Sequence, residues 1–209
     1  RRQRQMCIRD STYAVSSLDT NVTTIVSNDT LTMTPAINWN GSANITVVVT
    51  DDGTNTLSDT TIFILTVNAI NDAPVLASIG AQSTNEDTAK VVTLSATDVE
   101  NDGLTYTATS AESNVSASMS NDTLTLTPTA DWNGTADITV TVTDDGTGTL
   151  TDSEIFTLTI NPINDNPVLT AIGSQSVNED TAKVVVLTAT DIDEDDLTYA
   201  VSSLDTNVT

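Results

Sequence analysis

The chain has 209 residues, with 29 acidic against 6 Lys and Arg, no His and one Cys, and its formal net charge is −23. This length accommodates one large domain or two of ordinary size. So acidic a chain excludes binding to nucleic acid or anionic membranes, since both need basic patches. It favours a positively charged partner, and the simplest such partner is a metal cation.

Residues 1–10 differ in composition from the rest of the chain. Four of the six basic residues and the only Cys lie there: Arg1, Arg2, Arg4, Arg9 and Cys7. Without this segment, 2 Lys remain against 28 acidic residues (29 − 1), a net charge of −26 (2 − 28). The string MCIRDS resembles a translated adapter of DNA library preparation, so we predict that residues 1–10 are non-native; the alternative is a genuine basic tail. Without Cys7 there is no thiol for a disulfide or a zinc site.

An internal repeat organises the remaining sequence. TYAVSSLDTNVT occurs at Thr12–Thr23 and again at Thr198–Thr209, and Tyr13, Tyr106 and Tyr199 are evenly spaced (106 − 13 = 199 − 106 = 93). The same offset aligns the motifs WNG, DDG, IND and NED without a gap. We therefore predict a window of a longer tandem array, with the C-terminal part of one repeat, a complete repeat and the N-terminal part of a third at residues 11–71, 72–164 and 165–209.

Each repeat alternates short runs of period two with polar turns, which predicts strands and no helix. In chain order, the predicted strands of the complete repeat are Val75–Ile79, Val91–Ala96, Leu104–Thr109, Val115–Met119, Thr123–Thr127, Ile138–Thr143 and Ile155–Ile160. One face of these strands is apolar and the other is rich in Thr. The pattern predicts an all-β fold of tandem seven-stranded antiparallel β-sandwich domains, with Tyr106 and Trp132 in the core.

Acidic residues collect in the turns between these strands. They lie in the motifs NED, DVENDG, ADWNG, TDDG and IND, at Asn85–Asp87, Asp98–Gly103, Ala130–Gly134, Thr143–Gly146 and Ile163–Asp165. Lys90 and Lys183 neutralise only a fraction of this charge, whereas Ca²⁺ takes about six to eight oxygen ligands and tolerates irregular loops. The alternative is that turns favour Asp, Asn and Gly for local backbone reasons. That alternative explains less well why Asn-Asp recurs before Pro at each repeat boundary.

The order of these motifs resembles the cadherin-like repeats of giant bacterial surface proteins and, more distantly, animal cadherin domains. The resemblance runs from Ser11 onward. VNEDTAKVVVLTATDIDEDDLTYAV at Val177–Val201 is similar to the opening of such a repeat, and ITVTVTDDG with INPINDNPV is similar to its last strands and linker. The resemblance implies an Ig-like sandwich with calcium bound between successive domains.

Carried over residue by residue, the resemblance implies two calcium-binding junctions. One would use Glu86, Asp131, Asn164, Asp165, Asn166, Asp191 and Asp193. The preceding one would use Asn71, Asp72, Asp98, Glu100 and Asp144. The chain departs from the family where Ala69 and Pro162 replace a linker Asp, where Asn38 stands at the position of Asp131, and where the DxD motif reads DVE. These departures imply fewer or weaker ions per junction.

The predicted function is a calcium-rigidified stalk in a large secreted or cell-surface adhesin. Its partners would be calcium, neighbouring repeats and, through another part of the parent protein, a surface protein or glycan, with no nucleic acid and no membrane insertion in this segment. No enzyme is predicted, because the chain lacks His, a credible Cys and a phosphate-binding loop. Two alternatives remain, a sheath or filament subunit and a carbohydrate-binding module. The latter would need exposed aromatic side chains, for which Trp39 and Trp132 are the candidates.

Overall fold

A computed structural model describes residues 12–203, which fold into strands, turns and irregular segments without any helix. The predicted non-native residues 1–10 lie outside this range. The described residues form two compact units: unit 1 comprises residues 12–73, Asp98–Asp102 and Gly146–Leu150, and unit 2 comprises Pro74–Thr97, Gly103–Asp145 and residues 151–203. The strands are β1 (Thr12–Ser17), β2 (Val22–Ser27), β3 (Thr30–Pro35), β4 (Gly41–Thr50), β5 (Ser58–Val67), β6 (Val75–Leu76), β7 (Gln82–Asn85), β8 (Lys90–Thr93), β9 (Ala96–Thr97), β10 (Thr105–Ser110), β11 (Val115–Ser120), β12 (Thr123–Pro128), β13 (Gly134–Thr143), β14 (Thr151–Asn161), β15 (Val168–Leu169) and β16 (Ala189–Thr190).

Unit 2 contains a complete β-sandwich. One sheet has the order β10-β13-β14-β7, the other has the order β11-β12-β8, and β6 pairs with β9. All pairs are antiparallel except β14 with β7, where Leu158 lies opposite Gln82. The alternate apolar residues of the strands are buried, among them Leu124, Leu126, Ile138, Val140, Leu158 and Ile160. The seven strands of the two larger sheets confirm the predicted all-β sandwich.

The strand predictions are least accurate near the start of the sandwich. β7 was not predicted, because its sequence QSTN is polar and shows no apolar alternation. The stretch predicted as Val75–Ile79 has only two strand residues, since the N–H of Leu76 donates to Asp152 Oδ2 (2.8 Å) and that of Ile79 to Glu154 Oε2 (2.8 Å). Side-chain carboxylates on β14 thus replace the ladder that a longer strand would need. The predicted strand Val91–Ala96 is likewise divided into β8 and β9.

Unit 1 has a smaller core. A three-stranded sheet of order β1-β4-β5 packs with the β2-β3 hairpin around Val22, Ala43 and Ile45. Leu65 and Trp39 are only half-buried against these residues.

The WNG motif forms a tight contact between an indole ring and a glycine. Gly134 has φ +147°, and a Cβ at that position would lie 3.0 Å from the ring of Trp132. Gly41 repeats this arrangement with Trp39, at φ +145° and 3.1 Å. The motif therefore needs Gly both for its backbone conformation and for space. Trp132 and Tyr106 pack against the unit 2 core, as predicted.

None of the described residues belongs to a helix long and apolar enough to cross a membrane.

Candidate metal centres

Five carboxylates come together in unit 2. They form two groups that share Asp165, one with Glu86 and Asp193 and the other with Asp87 and Asp131. In each group, one oxygen per residue lies within 4.8 Å of the others. We call these five residues cluster 2.

Backbone N–H groups fix the side chains of cluster 2. The buried Glu86 (3% exposed) accepts a short hydrogen bond from the N–H of Ile163. Asp87 Oδ1 accepts from the N–H of Asp131 (3.0 Å). These contacts orient the carboxylates but leave oxygen lone pairs for a further ligand.

The charges of cluster 2 oppose one another. Partial burial, followed by the charges of Asp131, Asp193, Asp87 and Glu86, raises the pKa of the Asp165 carboxyl above its usual range. Like charges at this spacing disfavour the ionised form of a carboxyl group. A bound cation would reverse that effect, because it neutralises the charges that produce it.

Asp165 also lines a cleft of about 520 Å³ with Asp131, Asn166 and Asp191. Asp191 Oδ1 accepts hydrogen bonds from the N–H groups of Asp193 (3.0 Å) and Asp195 (3.3 Å), which folds this loop around the carboxylate. Oxygen-bearing side chains therefore line one part of the cleft, and Val168 and Ile192 line another.

A second group, cluster 1, belongs to unit 1 and consists of the half-buried Asp98, Glu100 and Asp102. Asp98 Oδ1 accepts from the N–H groups of Glu100 (3.0 Å) and Asp102 (3.0 Å). Its other oxygen, Oδ2, is buried and has no hydrogen-bond partner among the described residues. A buried anionic oxygen without a partner is costly, and a cation beside it would offset that cost.

The linker residues of unit 1 lie beside cluster 1. The N–H of Asp72 donates to Glu100 Oε2 (3.0 Å), and both residues line a cleft of about 380 Å³ with Asn38 and Trp39. A Cβ at Gly146 would lie against Asn71 Oδ1 and Asp102 Oδ2, so Gly at this position leaves room for both side chains.

Asn38 and Asp131 stand at equivalent positions of two repeats and have the same backbone conformation. Their φ angles are +60° and +56°, in the left-handed region that Asn and Asp adopt more readily than other non-Gly residues. The replacement of Asp by Asn thus changes the charge of the loop and keeps its shape.

Six of the sequence-predicted ligands lie in the two clusters: Glu86, Asp98, Glu100, Asp131, Asp165 and Asp193. Of the others, Asp72, Asn166 and Asp191 line the clefts. Asn71 lies near Asp102, Asn164 is exposed with its Nδ2 directed to the carbonyl of Asp165 (3.3 Å), and Asp144 is buried but belongs to neither carboxylate group. The prediction omitted Asp87 and Asp102. Both lie in the acidic motifs NED and DVENDG, so the density of acidic residues in these turns is the signal that indicates them.

All the donors in both clusters are oxygens. Carboxylate, amide and backbone oxygens favour hard divalent cations over metals that prefer nitrogen or sulfur. Irregular loops and carboxylates from separate segments favour Ca²⁺ over Mg²⁺, which needs near-octahedral geometry.

Comparison with known proteins identifies a matching family model and solved structures with a similar fold. Residues 70–161 match the family model described as the cadherin-like domain. Similar solved structures include human CDH23 EC21-23, with a TM-score of 0.55, 17% identity and coverage of 88% of this chain and 74% of that one. Mouse Cadherin-23 EC22-24 gives a TM-score of 0.52, 19% identity and coverage of 72% and 53%. The Protocadherin GammaB4 extracellular domain gives 0.51, 20%, and coverage of 88% and 34%.

The chain spans about a third of the length of the Protocadherin GammaB4 structure. At these identities the likeness establishes the fold alone. No curated protein matches the sequence of this chain.

Proposed function

We propose, from the premise that residues 70–161 are a cadherin-like domain, that this chain is a segment of a calcium-rigidified stalk in a large extracellular adhesin. The repeats would be residues 11–71, 72–164 and 165–209, and adhesion itself would belong to another part of the parent protein. The parent protein would be displayed on a cell surface, as bacterial adhesins are. The role of this segment would be structural rather than catalytic.

The observation that carries this proposal is the state of Asp98 in cluster 1. One oxygen accepts two backbone hydrogen bonds, and the other is buried without a partner among the described residues. This arrangement holds a charged oxygen in a fixed place at a cost in stability. Calcium beside Glu100 and Asp102 would remove the cost.

Cluster 2 supports a mechanical role for the ion. Its carboxylates come from the loop after β7, the loop between β12 and β13, the linker at Asp165 and the loop after β16. Calcium would connect these four segments and hold the linker against the sandwich. Without calcium the carboxylates repel one another, and the linker would be free to bend.

Calcium would act where it is abundant. Extracellular modules bind calcium with dissociation constants of roughly 10⁻⁴–10⁻³ M. The stalk would therefore become stiff outside the cell.

The two alternatives have less support. A carbohydrate-binding module would present exposed aromatic rings, whereas Trp39 and Trp132 are half-buried and pack against the cores and against Gly41 and Gly134. A sheath or filament subunit would associate laterally through apolar sheet faces. Thr residues occupy most outward positions of β13 and β14, which argues against lateral association in unit 2.

The test compares the chain in calcium and in chelator. We expect calcium to raise the melting temperature and to lengthen the particle in small-angle X-ray scattering. Asp98→Asn keeps the oxygen that accepts the backbone hydrogen bonds but removes the charge, so it should reduce the calcium-induced rise in melting temperature.

Glu112→Gln is the matched control, because Glu112 is an exposed loop residue outside both clusters. It removes the same charge and should leave the calcium response unchanged. Identical melting and scattering profiles in calcium and chelator would show that the acidic loops are ordinary turns and would refute the stalk mechanism.

A further inference from the structure

A short segment at the start of the unit 2 sandwich is joined to it by a short backbone ladder. We call this segment, residues 74–80 before β7, the strap. Its strand β6 has two residues, and the antiparallel ladder of β6 with β9 comprises two residue pairs. One more backbone hydrogen bond runs from the N–H of Ala77 to the carbonyl of Ser95 (2.8 Å). A segment with so short a ladder is suited to local opening.

Two carboxylates on β14 also hold the strap. Asp152 Oδ2 accepts a hydrogen bond from the N–H of Leu76 (2.8 Å). Glu154 holds the strap at two points, since its Oε2 accepts from the N–H of Ile79 (2.8 Å) and its Oε1 from the hydroxyl of Ser78 (2.9 Å). These contacts depend on side chains, so single substitutions remove them and leave the backbone pairing of β14 in place.

Gly80 separates the strap from β7. It is exposed, and a Cβ there would have no atom within 4 Å, so the backbone has room to rotate at this point. In contrast, β7 pairs in parallel with β14 at four positions, from Gln82 to Asn85. Asn161 Nδ2 on β14 also donates to the carbonyl of Thr84 (3.1 Å). The strap can therefore move about Gly80 while β7 remains in its sheet.

The core of the sandwich does not depend mainly on the strap. Pro74, Leu76 and Ile79 are the buried residues of the strap, the last two each 8% exposed, whereas Val75 is 62% exposed. The core side chains with no exposed surface all lie on β12, β13 and β14. These side chains would stay packed against one another after the strap opens. The strap is thus an element of low local stability on a more stable sandwich.

We propose that the strap opens as a unit while the two sheets of the sandwich remain folded, and that Asp152 and Glu154 hold it closed. The consequence for function rests on the proposed stalk. Tension along the stalk would enter unit 2 through the linker before residue 74, so it would load the strap before β7. Residues 74–81 span at most about 3.5 Å each when extended, so opening would lengthen the chain by roughly 2 nm with the sheets intact.

Hydrogen exchange in chelator tests whether the strap opens as a unit. In the wild type, the amides of Leu76, Ala77 and Ile79 should share one opening constant, at least about tenfold larger than that of the β13 amides. It should depend little on low concentrations of denaturant, because the opening exposes little surface. Exchange of these amides only through global unfolding, with the opening constant of β13, would overturn the proposal.

Glu154→Ala separates a common opening from the loss of single hydrogen bonds. Leu76 and Ala77 donate to other acceptors, yet their exchange should accelerate by the same factor as that of Ile79. Acceleration at Ile79 alone would overturn the proposal. Glu154→Gln should stay close to the wild type, because its oxygen still accepts from Ile79 and its Nε2 can donate to the Ser78 hydroxyl. Exchange as fast as in Glu154→Ala would overturn the role of these hydrogen bonds.

Asp137→Ala is the matched control. Asp137 is exposed on β13 and accepts a hydrogen bond from the Thr157 hydroxyl (2.9 Å), so this variant also loses a carboxylate and its hydrogen bond, but away from the strap. Exchange at Leu76 and Ala77 should remain at the wild-type rate. Equal acceleration by Asp137→Ala and Glu154→Ala would overturn the role assigned to Glu154.

Optical tweezers test the response to tension. Ala73→Cys and Pro162→Cys, in a chain that also carries Cys7→Ser, attach the handles so that the load acts on the residues between them. In chelator we expect an extension of roughly 2 nm before the sandwich unfolds. Glu154→Ala should lower the force of this first step and leave that of the second unchanged. A wild type that unfolds in a single step would overturn the proposal.

The two proposals fail separately. A first extension step in a chain whose melting and scattering profiles ignore calcium would refute the calcium mechanism and support the strap. A calcium response in a chain that unfolds in one step would do the reverse.

Discussion

The backbone N–H of Asp165 donates a hydrogen bond to Asp193 Oδ2 over 2.6 Å. In the preceding repeat, the N–H of Asp72 donates to Glu100 Oε2 over 3.0 Å. The two pairs are related by the same sequence offset (165 − 72 = 193 − 100 = 93). Each pair fastens the linker to an acidic loop, and the longer Glu side chain accepts the same bond as Asp. The hydrogen bond between the linker and the acidic loop is therefore a recurring feature of the repeat.

Asp165→Asn should stabilise the chain in chelator and reduce its response to calcium. The Asp165 carboxyl has a raised pKa in the folded state, so its charge is unfavourable without a cation. We expect the variant to melt a few degrees higher than the wild type in chelator and to gain less from calcium than the wild type does, because cluster 1 is unchanged. Differential scanning calorimetry measures both values, with Glu112→Gln as the charge control. A lower melting temperature in chelator would contradict the repulsion that we infer.

The same group predicts a pH dependence of stability without metal. The folded pKa of Asp165 lies above its unfolded value of 3.8. The stability that this group contributes is therefore fully present below the unfolded pKa and is lost as pH rises through the folded pKa. The difference in melting temperature between wild type and Asp165→Asn should grow from about pH 3 to about pH 7 in chelator. A constant difference across this range would argue against the shift.

Asn38→Asp should strengthen calcium binding at cluster 1. Asn38 lines the cleft with Asp72 and Glu100 and has the backbone conformation of Asp131, so the new carboxylate should fit without a change in the loop. We expect affinity to rise by roughly tenfold, which corresponds to about 1.4 kcal/mol. Isothermal titration calorimetry measures it, and Asp131→Asn should produce the opposite change at cluster 2. Unchanged affinities in both variants would exclude these positions from the metal sites.

Gly134→Ala should destabilise unit 2. A Cβ at Gly134 would lie 3.0 Å from the Trp132 ring, and φ of +147° is unfavourable for Ala. Strain of this kind costs of order 1–3 kcal/mol. Denaturant unfolding, followed by circular dichroism, measures the loss. Gly80→Ala is the control, because a Cβ there has no atom within 4 Å and should change stability little.

The strands that contribute most side chains to the core were predictable, because their alternating apolar residues indicate which side chains are buried. In β13 and β14 the apolar side chains alternate with Thr or other polar residues, and the buried positions follow that alternation. β7 could not be found in this way, since it is held at the sheet edge by backbone pairing with β14. Leu76 and Ile79 are buried without forming a long strand, because their N–H groups donate to carboxylates 75 or more residues away in sequence.

The candidate site was predictable as a set of loops but only partly as a set of side chains. The resemblance to cadherin-like repeats implies that Asp165, Glu86 and Asp131 lie in one region. Asp87 was missed because Glu86, its neighbour, satisfied the family motif. Its proximity to Asp131 arises from a hydrogen bond across 44 residues of sequence, which no local pattern encodes.

The shared backbone conformation of Asn38 and Asp131 has a consequence for the proposed array of repeats. The exchange of Asp for Asn changes the charge of one acidic loop and keeps the backbone conformation of that loop. Under the proposed function, a series of such repeats would carry calcium sites of unequal affinity in a fixed order along one polypeptide. As the extracellular calcium concentration falls, the site with the lowest affinity would lose its ion first. The flexibility of the stalk would therefore increase in steps rather than all at once.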